Sequence, residues 1–162
     1  MPNITNMRLL KLTAILFLVT FAFISCDKEA YHQPGEYSGS SSMSGSEEVP
    51  AVTTNATGTI RATYSQRSKT LNYTVTWIGL TGTVTGGHIH GVGERGVNAG
   101  VLQSFGFGAT TPSIGSFTGS LLVDGVKITE ELLLSGKYYV NIHTSLNTGG
   151  QIRGQLELRR TN

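Results

Sequence analysis

The chain is short of charge, proline and cysteine. Of its 162 residues only 14% are Asp, Glu, Lys or Arg, against about 25% in an average globular domain. Twelve basic residues against ten acidic leave a net charge of +2. That is too little for a protein that holds polyanions, and no basic cluster compensates, so nucleic acid is excluded as a partner. A single cysteine excludes a disulfide scaffold. No apolar run reaches the ~20 residues that a bilayer span needs. Long helical periods are missing too, which excludes bundles and doubly wound α/β folds. What is plentiful is glycine, at 21 residues, together with Ser and Thr. This is a composition of sheets and turns.

Arg8 and Lys11 precede an uncharged run at 12–24, LTAILFLVTFAFI, of thirteen residues. A positive start, a short apolar stretch and then a small residue follow the plan of a secretory signal. Ser25-Cys26 closes the segment, and Cys26 is the chain's one thiol. Its placement resembles the lipobox of bacterial lipoproteins, where the signal is cut before a cysteine that then carries lipid. Phe23 and Ile24 depart from the usual residues before the cut. The expectation is a signal peptide at 1–25 and a lipid anchor on Cys26, held stably if two or more acyl chains are added. The mature protein is then an exported cell-envelope lipoprotein, at the outer membrane or cell surface. Removing 1–25 takes Arg8 and Lys11 with it and leaves ten basic against ten acidic residues.

Residues 26–46 are rich in Gly, Ser and charge and lack an apolar period, so they read as a flexible tether. A domain follows at 47–160. Thr59 to Ser65 and Thr70 to Ile78 alternate apolar and polar residues and are joined by the polar turn Gln66 to Lys69, which predicts an antiparallel hairpin. Further strands are expected at 83–90, 101–107, 115–123, 137–144 and 151–159. In the last, Ile152, Gly154, Leu156 and Leu158 share a face opposite Gln151, Arg153, Gln155 and Glu157. Thr129 to Leu134 is the one helical piece, with Thr129 as its cap. Seven or eight short strands predict an all-β fold, a Greek-key antiparallel β-sandwich with at most one short helix. A barrel is the alternative.

Three histidines fall in this domain. His88 and His90 stand two apart on a strand and so project from one face. Their Cα atoms are then about 6.5–7 Å apart, within reach of one ion. His143 has the opposite parity from Val140 and Ile142, which places it toward loops or solvent if those two face the core. A His-x-His pair with a distant third histidine is a ligand set for copper or zinc. The simpler use of the same residues is to hydrogen-bond loop backbone. Arg153 shares a face with Gln151 and Gln155. It either holds an anion bidentately or, as is commoner, ties loop carbonyls or a carboxylate. No Ser-His-Asp or Cys-His nucleophile is present, so no catalytic residue is expected.

Ser46-Glu47-Glu48-Val49-Pro50-Ala51-Val52, followed by Ala56-Thr57-Gly58, resembles the opening of the CHRD domain, the module first described in chordin. GGHIHG at 86–91 resembles its central motif, and YVNIHTSLNTGGQIRGQL at 139–156 its ending. The resemblance covers roughly 38–159 and implies an extracytoplasmic β-domain. A more distant likeness is to copper/zinc superoxide dismutase, through His88, His90, His143 and Arg153. A fourth copper histidine, the zinc ligands and the intrachain disulfide of that family are all missing. The expectation is therefore a non-enzymatic binding module with a protein or glycan partner. The rival is a copper- or zinc-binding protein, redox-active or not, built on the three histidines.

Overall fold

The computed structural model describes residues 33–107 and 111–161. The apolar run at 12–24 and Cys26 lie outside them. Pro34–Asn162 forms one compact unit. Among the described residues its elements are nine strands and two short helical pieces. The strands are β1 (Glu36–Ser44), β2 (Thr57–Ser65), β3 (Thr70–Ile78), β4 (Val84–Gly91), β5 (Val101–Ser104), β6 (Gly115–Leu122), β7 (Tyr138–Thr144), β8 (Ile152–Gln155) and β9 (Arg159–Arg160). A 3-10 turn occupies Gly45–Glu47, and α1 spans Glu130–Leu134. The Thr129 hydroxyl caps α1 by accepting from the Leu132 N–H, and Leu133 buries its side chain fully.

Eight strands form one antiparallel sheet in the order β5-β4-β7-β8-β1-β2-β3-β6, and β9 pairs beside β1. The sheet is curled into a sandwich around a single core. Its two ends meet through side chains: Phe105 just beyond β5 stacks on Phe117 of β6 at 4.5 Å, and Gln103 donates to the Ser120 carbonyl. Counting that seam, β4, β5 and β6 run in succession and β7 returns beside β4, which is a Greek key. Tyr73, Val75 and Trp77 of β3 and Ile89, Val140, Ile142 and Ile152 of the other half fill the interior. These are the alternate positions that the sequence assigns inward, as the period of a strand demands.

The β2–β3 hairpin pairs nine residues on each strand, and Lys69 takes the left-handed conformation that closes its turn (φ 52°). Across β1, β2, β3 and β6 the register lines up outward residues in rows. One row is Ser38, Thr63, Asn72 and Ser120; the next is Ser40, Arg61, Thr74 and Thr118; the third is Ser42, Thr59, Thr76 and Ser116.

Two expectations require correction. The tether does not extend to residue 46, because Glu36–Ser44 is a strand pairing nine residues with β2. Its inward positions are Tyr37, Gly39, Ser41 and Met43, with Met43 packed in the core, Tyr37 against it, and the middle kept small where the chain crowds it. A Cβ on Gly39 would lie 1.7 Å from the Glu157 carbonyl oxygen. Secondly, the strand at 151–159 is interrupted after Gln155. The face that carries Gln151, Arg153 and Gln155 is buried. Loops fold over that face and convert it into an interior one.

Candidate metal centre

β4 and β7 are neighbours, with His88 opposite Asn141, Gly86 opposite His143 and His90 opposite Tyr139. Paired residues share a face, so His88 and His90 join Tyr139, Asn141 and His143 on the side of the sheet away from the core. Gly86 leaves room among the rings, since a Cβ there would touch His88. The structure brings together all three histidines expected from the sequence. Their candidate donor atoms lie within 4.8 Å of one another, and His88 Nδ1 stands 2.9 Å from His143 Nε2. Nitrogens on a tetrahedral zinc stand about 3.3 Å apart, so small ring rotations suffice to gather them.

Backbone carbonyls fix the tautomers. His90 Nδ1–H donates to the Ala99 carbonyl at 3.0 Å, and His143 Nδ1–H to the Thr148 carbonyl at 2.8 Å. In the neutral rings both Nε2 atoms are therefore bare lone pairs. Each lies 2.9 Å from Asn141 Oδ1, itself an acceptor. Three acceptors thus face one another with only the His88 Nδ1–H to share. A cation resolves this arrangement; reversal of the Asn141 amide is the other resolution. Outer hydrogen bonds from ring N–H to carbonyl are what orient metal-binding imidazoles.

The cluster favours neutral rings. Burial, and then the charges of His143 and His90, lower the His88 pKa to about 4. Burial lowers that of His143 as well, against the opposing hydrogen bond to Thr148. Behind Asn141 lies Glu48, whose pKa burial pushes up to about 7, with Arg153, Asn141 and the Val49 backbone working against the rise. Its Oε1 is buried and has no hydrogen-bond partner among the described residues. Gly150 is required here: at φ 125°, a Cβ would lie 2.2 Å from that oxygen.

Arg153 does not reach the histidines. Its guanidinium donates to the carbonyls of Glu94 at 3.1 Å and Val97 at 2.9 Å. It lies 3.4 Å over the Tyr139 ring. Tyr139 stacks on His90 with its other face, at 4.7 Å and nearly parallel, and its hydroxyl accepts from the Ala99 N–H. Arg153 thus pins the loop whose Ala99 carbonyl orients His90. Sequence reasoning missed Asn141, Tyr139 and Glu48. The first two were within reach, since 139, 141 and 143 share a parity as 88 and 90 do. Glu48 comes from a distant loop and left no such signal.

An all-β sandwich with a histidine cluster on the outer side of its sheet defines an extended-sheet domain with one concentrated polar centre. Residues 39–156 match the CHRD domain, and the chain belongs to that family. No curated protein matches, and no solved structure does.

Proposed function

We propose that this protein is an exported CHRD module, held at a membrane by lipid on Cys26, that binds one copper or zinc ion through His88, His90 and His143. The observation that carries the metal reading is the convergence of three imidazoles, two of them with Nδ1 tied to a carbonyl and Nε2 turned inward. Imidazole nitrogens suit both metals. His88 offers Nδ1 once its proton moves to its own Nε2. Asn141 Oδ1 is placed to complete the donor set. The role is binding rather than catalysis, because no nucleophile with an adjacent base stands beside the cluster among the described residues. The short signal-like segment ending at Cys26 supports export and anchoring.

The test is metal content by mass spectrometry on the full chain after dialysis against trace copper and zinc. Near-stoichiometric metal, lost in the His88→Ala/His90→Ala double variant, is expected. A folded protein that retains no metal removes the metal reading and leaves the reversed Asn141 amide as the arrangement. Growth in labelled palmitate checks the anchor: label should be incorporated and should disappear with Cys26→Ser.

A further inference from the structure

The opposite half of the sheet carries a second feature that the histidine cluster does not use. On the outer side of β1, β2, β3 and β6 lies a concavity of about 530 Å³, lined by Arg61, by Ser, Thr and Asn residues, and by Gly39, Ala62 and Tyr73. Neighbouring strands stand about 4.8 Å apart, and same-face residues along a strand about 6.8 Å apart. The rows described above are therefore a regular grid of hydroxyl groups. Each hydroxyl donates one hydrogen bond and accepts two. Few are spent internally: the Thr74 and Thr118 hydroxyls bond each other at 3.0 Å.

Charge decides what such a surface takes. Arg61 is the one cation of these four strands and Glu36 the one anion. Glu36 accepts from the Ser65 hydroxyl at the sheet's corner. It lies two rows from Arg61, on the order of 13 Å along the strands. Arg61 is exposed, and it has no hydrogen bond or ion pair to another described residue. Its guanidinium can therefore turn its fork toward a carboxylate in the groove. Inward parity takes the large apolar side chains beside the groove, Tyr73 among them, into the core, while Ile78 and Leu122 stay exposed at the ends of β3 and β6.

We infer that this groove binds a carboxylate-bearing glycan, with one uronate on Arg61 and neighbouring sugar hydroxyls on Ser40, Thr63, Asn72, Thr74 and Thr118. A polyhydroxylated chain both donates and accepts along its length, as the grid does. One carboxylate per contact matches one guanidinium. A nucleic acid would need several cations, and the strands supply one. The inference stands on observations separate from the metal centre.

The experiment titrates the full chain with oligogalacturonate, and with its methyl ester as the uncharged control, by calorimetry. Binding to the acid is expected, with at least tenfold weaker binding of the ester. Arg61→Gln should weaken binding of the acid by a similar factor, and Arg61→Lys by less. The Thr74→Val/Thr118→Val pair should weaken it several-fold. His88→Ala/His90→Ala should leave it unchanged, so failure here and failure of the metal reading are separable. Fluorescence of Trp77, buried in the core, reports that each variant is folded. No binding of the acid, equal binding of acid and ester, an unaffected Arg61→Gln variant, or equal binding of single-stranded DNA overturns the inference.

Discussion

The two outer faces of this sheet are built from the same kind of strand and meet opposite fates. On β1, β2, β3 and β6 the outward residues of the three rows are Ser and Thr with Arg61 and Asn72 among them, and all are at least partly open to solvent. On β4, β7 and β8 they are His88, His90, Tyr139, Asn141, Arg153 and Gln155, which are long or cyclic, and loops roof most of them over. Arg61 and Arg153 show the difference. The first stands exposed without a partner among the described residues, while the second is 1% exposed and bonded to two loop carbonyls. Gln155 likewise donates to the carbonyls of Gly93 and Gly136. A polar residue at an outward strand position is thus solvent-facing only where no loop returns across it. The roofed face is a second, polar interior, whose hydrogen bonds water cannot readily replace; two of its buried acceptors, Glu48 Oε1 and Gln155 Oε1, have no partner among the described residues.

That contrast can be broken most directly at the two arginines. Arg153→Leu keeps the apolar stem but strips donors from the Glu94 and Val97 carbonyls. Urea denaturation should show a loss of about 3 kcal/mol. Arg61→Leu should change stability by less than about 0.5 kcal/mol, as surface substitutions usually do. Equal losses would mean that the two faces do not differ as described. The open half is tolerant only on its outer side. Gly39→Ala would press a methyl group onto the Glu157 carbonyl and should cost about 2 kcal/mol. Gly100→Ala in the roofing loop meets nothing within 4 Å and should be near neutral by the same measurement.

A further expected effect is on pH dependence, and it belongs to the roofed half. His88, with its pKa lowered to about 4, contributes stability that is complete above about pH 6.5 and is lost as pH falls toward 4. Glu48, with its pKa raised to about 7, acts in the other direction. Its contribution is complete below about pH 4.5 and lost as pH rises through 7. Melting temperatures of the metal-free protein should show Glu48→Gln gaining on the parent, by the order of a few degrees, between pH 5 and 8. A constant difference across that range would remove Glu48 as the source.

The regular half was legible in the sequence because burial there follows parity. Leu71, Tyr73, Val75 and Trp77 alternate with Asn72, Thr74 and Thr76, and the hairpin followed directly, its first strand beginning two residues earlier than expected, at Thr57. α1 was legible from Thr129 and the two glutamates after it. β1 was not, since Ser and Gly carry no alternation. Its place in the sheet is set by partners on both sides and by close approach of the Glu157 backbone. Of the centre, the three histidines were visible as a parity pattern. Asn141, Glu48 and the position of Arg153 depend on where the loops at 92–100 and 145–150 come to rest, and that is decided by tertiary packing rather than by local sequence.

The two carbonyl locks on the histidines have a consequence for proton inventory. The Nδ1–H groups of His90 and His143 stay bonded to Ala99 and Thr148, while His88 can pass its proton from one ring nitrogen to the other. An ion arriving at the cluster therefore breaks neither carbonyl lock. Glu48 behind Asn141, with its pKa at about 7, is then a source of released protons. The heat of uptake should therefore vary with the ionisation enthalpy of the buffer, and less so in Glu48→Gln.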